Sequence, residues 1–387
     1  MVTPTNIREF PFPESYGINV PRLSCELQSA SEKGELMNQI TTVGVDLAKE
    51  VIVVCAGDAA GRTLFFKQFS FSGFGAWAAN LPPCTIGIEA CSSAHHWARV
   101  LAGHGHRPKL MAPEFVKPFR KSQGAKNDRN DAQAILSAVR EPNMRFVSIK
   151  SLDQQAILAC HRMRQGWHVE RTALLNRTRG LLSEFGIWLG RSSATLYRSL
   201  LRLSLNEAIP APVRALLEQA HEHLQRIDAQ ISRCEAQIRL HAKQSEPAQR
   251  LTAVTGIGPI TASALVATIA NARDFRNGRQ MAAWTGLVPR QASSGGKERL
   301  GSITRRGDRY LRALLVQGAR STLQSALLRA PEKRSRIEQW IVDLRHRVGY
   351  HKTLVAIANK HARICWAILA KNEPYDPLAW QRHTLAA

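Results

Sequence analysis

No stretch of about 18 consecutive apolar residues occurs in this chain, so no helix is expected to span a bilayer. The N-terminus has no apolar core of the kind that directs secretion. The seven cysteines (Cys25, Cys55, Cys84, Cys91, Cys160, Cys234 and Cys365) are scattered and odd in number. They argue against a disulfide framework and fit reduced thiols in a cytosolic protein. Cys84, Cys91, His95 and His96 stand near one another, but their spacing matches no common zinc site. Acidic residues are also short, 30 Asp and Glu against 53 Lys and Arg, which leaves a formal net charge of +23.

A basic excess of that size attracts a polyanion, and nucleic acid is the expected partner. The chain has 387 residues, enough for two or three domains, and its 44% hydrophobic content excludes a disordered basic tail. Residues 1–38 read as an irregular extension broken by Pro4, Pro11, Pro13 and Pro21, with Met37 a candidate natural start. Residues 39–150 alternate strand and helix signals. Strands are expected at Ile40–Asp46, Val51–Ala56, Thr63–Phe69, Thr85–Glu89 and Pro108–Met111. Helices are expected at Ala76–Asn80, Ser93–Gly103 and Asp128–Arg140, the last entered from the polar loop Lys121–Asn127. Three consecutive strands followed by alternation predict a mixed sheet with helices on its faces.

Residues 151–248 read as helical. Leu217, Ala220, Leu224, Ile227, Ile231, Cys234 and Ile238 follow the 3,4 spacing of a coiled-coil seam. That seam serves either self-association, slightly favoured, or packing against the chain's own helices. The helix before it carries Arg162, Arg164, Arg171, Arg177 and Arg179, a row that is either a solvated face or a track for phosphates. Residues 249–372 form a further, mainly helical unit, and residues 373–387 a tail. The turn Gly256-Ile257-Gly258-Pro259 reads equally as a phosphate-holding hairpin between helices or as an ordinary helix entry. Trp284 and Trp366 read as core.

Against this basic background four carboxylates stand out. Asp46 ends the apolar run Val43-Gly44-Val45, and Glu89 ends Ile86-Gly87-Ile88. A carboxylate inside a buried strand is costly unless it is paired or bound to a metal. Asp128 and Asp131 lie three apart on an expected helix and so share a face. Asp128 alone is also explained as a helix cap and Asp131 as an exposed residue. Hard oxygen donors of this kind suit Mg²⁺ or Mn²⁺, and divalent ions held against phosphates serve phosphodiester chemistry. A second cluster lies further on. Ser293-Ser294-Gly295-Gly296 sits among Arg290, Lys297, Arg299, Arg305, Arg306 and Arg309, with Arg312 beyond. Glycines let a backbone approach phosphates, and cations neutralise them. From residue types alone this is a phosphate-binding loop ahead of a nucleophilic one, because no base lies nearby.

Three acidic motifs carry a resemblance: Val43-Gly44-Val45-Asp46-Leu47-Ala48-Lys49, Gly87-Ile88-Glu89-Ala90 and Lys126-Asn127-Asp128-Arg129-Asn130-Asp131-Ala132. With the serine loop, they make residues 40–372 resemble the DEDD transposases of bacterial insertion sequences, the RNA-guided recombinases with a resolvase-like N-terminal domain. The resemblance implies an α/β plus α architecture: a ribonuclease-H-like mixed sheet, a helical coiled-coil middle and a mainly helical C-terminal domain. It implies that Asp46, Glu89, Asp128 and Asp131 bind divalent metal and act in catalysis, and that Ser294 is the nucleophile, with Ser293 the adjacent alternative. It further implies DNA (element ends and target) and a structured guide RNA as partners, and a homo-oligomer, dimer or tetramer, with a composite site. Two other readings stand beside it. One is a metal-dependent, structure-selective nuclease without a covalent intermediate. The other is a non-enzymatic nucleic-acid-binding protein.

Overall fold

The structure is a computed structural model that describes residues 35–48, 50–120, 127–190, 192–292, 295 and 297–377. Most of the expected N-terminal extension, most of the loop before Asp128, the end of the tail, and Ser293 and Ser294 lie outside the described residues. The chain divides into two compact units, with the boundary between Arg145 and Phe146.

The N-terminal unit carries strands β1 (Thr42–Leu47), β2 (Ile52–Gly57), β3 (Thr63–Phe69), β4 (Thr85–Glu89) and β5 (Arg107–Met111). Helix α1 is Phe71–Ala79, α2 is Ala94–Gly103 and α3 is Asp128–Val139. The strands lie in the order β3-β2-β1-β4-β5. β2 pairs antiparallel with both β1 and β3, whereas β1-β4 and β4-β5 are parallel. This is the mixed sheet that three consecutive strands followed by alternation predict, and each expected strand appears within two residues of its expected ends. The central strands are apolar throughout because both of their faces are covered. Val43, Val45, Ile52, Val54, Ile86 and Ile88 are all fully buried.

The C-terminal unit is almost wholly helical: α4 (Leu152–Glu184), α5 (Ser193–Ser204), α6 (Ala211–Gln244), α7 (Glu246–Thr252), α8 (Pro259–Thr268), α9 (Gly278–Trp284), α10 (Arg309–Leu328), α11 (Arg336–Val348) and α12 (Tyr350–Lys371). A short antiparallel hairpin, β6 (Pro289–Gln291) with β7 (Leu300–Ile303), interrupts it. Strands of three and four residues are too short to leave a period in the sequence, which there reads as plain loop.

α4 opens with a capping box, Ser151 with Gln154. It lies along α6, and α5 packs on α6 as well. The coiled-coil seam is therefore occupied within the chain. Leu217, Leu224, Ile227, Ile231 and Ile238 are buried without any partner molecule. The arginine row on α4 is likewise partly engaged. Arg164 pairs with Glu235 at 2.7 Å and Arg171 with Asp228 at 2.6 Å, both across to α6. Those two arginines of the row knit the helical pair together and serve packing between helices. Among the described residues no helix is long and apolar enough to cross a membrane.

Candidate functional site

The acidic cluster is built by two strand ends and one helix start. Val45 on β1 pairs in register with Ile88 on β4, so the residues that follow, Asp46 and Glu89, leave neighbouring parallel strands at the same end. α3 then brings its first turn over them. Asn127 caps α3, its side chain accepting from the Arg129 N–H at 3.0 Å. Asp128 is therefore not the cap; it is the first helical residue and is exposed, while Asp131 is buried. The two acids thus differ in environment although their spacing is that of one face.

Two glycines allow this approach. Gly44 on β1 pairs in register with Gly87 on β4. A Cβ on Gly44 would meet the Ala132 carbonyl and come within 2.5 Å of the Leu136 nitrogen, both in the α3 backbone. A Cβ on Gly87 would sit 2.8 Å from Val139 Cβ. The glycine in each strand motif is thus the contact surface for α3, and the carboxylate two residues later is delivered beside that helix.

The charges of the other three acids converge on Asp46. Burial, followed by the charges of Asp131, Asp128 and Glu89, pushes the Asp46 carboxyl from the usual range up to about 6. Arg120 opposes this. Its Nε lies 2.9 Å from Asp131 Oδ1 and its Nη2 3.7 Å from Glu89 Oε2. Sequence reasoning missed Arg120. It sits just after the short turn Lys117–Phe119, and no periodicity marks it.

Among the described residues, no three His, Cys, Asp or Glu side chains stand close enough together to hold an ion as they are placed. The donor set still fits a divalent cation in its chemistry. The donors are all carboxylate oxygens, they repel one another, and a cation already bridges two of them. Beside the cluster lies a cavity of about 340 Å³ lined by Val53, Phe66, Lys67, Gln68, Asp128 and Arg129. The Arg129 guanidinium stands 5.9 Å from the Phe66 ring centroid. Lys67 and Arg129 thus line the same cavity as Asp128.

The basic loop belongs to the C-terminal unit. Ala292 N–H donates to Arg299 O at 3.0 Å and Thr304 N–H to Val288 O at 2.8 Å, which closes the β6-β7 hairpin around residues 293–298. Ser294 and Ser293 fall in that loop, outside the described residues. Arg290, Lys297, Arg299, Arg305, Arg306 and Arg309 are all exposed. Arg305 takes a left-handed backbone, φ 55°, at the turn toward α10. Arg312, at the first turn of α10, donates to Arg306 O at 2.8 Å and Thr285 O at 3.0 Å, and so ties the far end of the hairpin to its base.

Residues 43–187 match the DEDD transposase model of the IS110 group, and residues 248–334 match the model of the IS116/IS110/IS902 transposase family. A probable family 20 transposase of Pseudomonas aeruginosa is 44% identical over 341 residues, covering 87% of this chain and 99% of the relative. The transposase for insertion sequence element IS1111A of Coxiella burnetii is 37% identical over 88% of this chain and 92% of its own length. The transposase for IS1328 of Yersinia enterocolitica is 39% identical over 88% of this chain and all of its own length.

Proposed function

Because this chain belongs to the IS116/IS110/IS902 family of insertion-sequence transposases, and is a DNA transposase on that ground, we propose that it cuts and rejoins DNA through an acidic metal site and a serine nucleophile. The observation that carries the proposal is the convergence of the charges of Glu89, Asp128 and Asp131 on the half-buried Asp46, within the stretch that the DEDD model matches. The strand order, with β1-β2-β3 antiparallel and β4 and β5 parallel to β1, supports a ribonuclease-H-like reading of that unit.

Asp46, Glu89, Asp128 and Asp131 would hold the divalent metal that the family implies, Mg²⁺ or Mn²⁺. The metal supplies positive charge against the phosphate oxygens when bound. Lys67 and Arg129 add fixed charge beside it. In the basic loop, Arg290, Lys297, Arg299, Arg305, Arg306 and Arg309 hold the DNA backbone without reading bases. The Ser294 hydroxyl attacks phosphorus. A serine–phosphate ester forms, the bond from phosphorus to the departing strand's sugar oxygen breaks, the serine proton passes to a base, and that oxygen takes up a proton. Attack by another strand's hydroxyl on the ester reverses the sequence and frees the serine, so the phosphodiester count is unchanged. A homo-oligomer, dimer or tetramer, would bring the acids of one subunit to the serine of another, and a structured RNA would choose the DNA.

The test is a denaturing gel with element-end DNA. Wild type should give a protein–DNA species that survives denaturant, while Ser294→Ala and Asp46→Ala should each abolish strand transfer. A fully active Ser294→Ala protein would leave the second reading, a metal-dependent nuclease using water. That reading is favoured by the acidic cluster being complete within one unit.

A further inference from the structure

Trp366 reads from the sequence as core, and its packing against the helical core of the C-terminal unit agrees. Its indole N–H donates to Ala272 O at 3.0 Å and to Phe275 O at 3.2 Å, which holds the ring in one orientation. The same side chain also lines a cavity of about 500 Å³ between the start of α9 and the later turns of α12. That volume lies in the range of about 300–1,000 Å³ usual for small-ligand sites. The rest of the lining is mixed in chemistry. Ile364 and Ala367 are apolar, and Arg279, Lys360 and Arg363 supply three cations. Among the described residues no carboxylate lines the cavity.

The three cations come from two helices, Arg279 from α9 and Lys360 and Arg363 from α12. Neither Arg279 nor Arg363 forms an ion pair among the described residues. Lys360 is half-buried, with its Nζ 4.7 Å from the Trp340 ring centroid. Burial and the neighbouring Arg363 hold its ammonium below the usual lysine range. The site is also stiff. A Cβ on Gly278 would lie 2.9 Å from Arg363 Cα and 3.0 Å from its carbonyl oxygen, so α9 begins directly on the α12 backbone.

We propose that this cavity binds one unstacked nucleotide of a nucleic-acid strand, with its base on Trp366 and its phosphate on Arg279, Lys360 and Arg363. A fixed aromatic face stacks any base, and guanidinium groups grip phosphate oxygens through paired N–H donors. A base inside a duplex is already stacked on both sides and does not enter. The site stands independently of the strand-transfer chemistry and of Ser294.

The experiment uses the full chain with short single-stranded DNA and RNA oligonucleotides carrying 5-iodouracil, and a duplex of the same length. Photo-crosslinking followed by peptide mass spectrometry should place the adduct on the Trp366 peptide. The Arg279→Ala/Arg363→Ala protein should bind the single strand about tenfold more weakly, with a salt slope smaller by about 0.7 for each phosphate no longer neutralised. Ala367→Phe, which fills the cavity and keeps the charges, should reproduce the weaker binding. Weakening confined to the DNA arm assigns a DNA strand, and weakening confined to the RNA arm an RNA strand; either supports the site. An adduct elsewhere, or equal weakening of duplex and single strand in a protein with an unchanged thermal midpoint, overturns it.

Discussion

Arg120 holds Asp131: its Nε lies 2.9 Å from Asp131 Oδ1, with that carboxylate 8% exposed, and the same guanidinium reaches toward Glu89. One cation thus stands among Asp46 and the three acids whose charges bear on it, Asp131, Asp128 and Glu89. Replacing Arg120 with Ala leaves a buried carboxylate without its partner, at a cost of about 2 kcal/mol. Thermal melts in EDTA should show that loss, and millimolar Mg²⁺ should recover most of it by binding the folded state alone. A variant that melts like wild type in both buffers would show that the guanidinium does not hold the cluster.

Gly44 sets the distance between β1 and α3. Gly44→Ala forces a methyl into the α3 backbone, where no side-chain rotation relieves it. The expected destabilisation is about 2–4 kcal/mol, read by urea unfolding. Because α3 carries Asp128 and Asp131, whatever folded protein remains should also lose the Mg²⁺-dependent rise in melting temperature. An alanine variant with unchanged stability and an unchanged Mg²⁺ response would separate the glycine from the site.

His161 is 1% exposed and bridges two hydroxyls, with Nδ1 2.9 Å from Tyr310 Oη and Nε2 3.0 Å from Ser263 Oγ. Burial, with Arg164 and His241 adding to it, pushes its pKa from the usual range down to about 4. Below pH 6.5 the unfolded chain takes a proton that the folded imidazole refuses. Stability is therefore full above about 6.5 and falls as the pH drops toward 4, by on the order of 3 kcal/mol. His361, also pushed down to about 4 by burial, works in the same direction. His161→Gln should flatten part of the dependence of the melting temperature between pH 6.5 and 4, and His361 should account for the remainder. An identical pH profile in the variant would mean that the imidazole is already charged in the fold.

Leu224 is fully buried in the contact of α6 with α4 and α5. Leu224→Ala should cost about 2–5 kcal/mol. Since that seam is closed within one chain, the loss relative to wild type should be the same at every protein concentration over a hundredfold range. A loss that changes with concentration would assign the seam to an intermolecular coil.

Much of the N-terminal unit is legible in the sequence, for a physical reason. Val43-Gly44-Val45-Asp46 and Ile86-Gly87-Ile88-Glu89 are apolar runs ending in a charge, and a buried central strand is apolar on both sides. The acids at their ends thus stand out before any fold is known. The C-terminal helices are legible from their period. The heptad on α6 is legible as a seam, but its partner is not, because the 3,4 spacing is the same whether the facing helix comes from the same chain or another. Arg120 and Lys67 leave no trace, since an exposed cation in a chain with 53 of them carries no pattern.

The sequence by itself determined the longer elements, the basic character and which carboxylates sit where folding alone does not want them, because these follow from local period and from the cost of burying charge. Only the tertiary structure decided that Asp131 is buried while Asp128 is exposed, that Arg120 counters the acids, that Arg164 and Arg171 face Glu235 and Asp228, and that Trp366 is both core and cavity wall. Each of these depends on which surfaces meet, and that is set by close packing between segments far apart in the chain, such as Gly44 against α3 and Gly278 against α12.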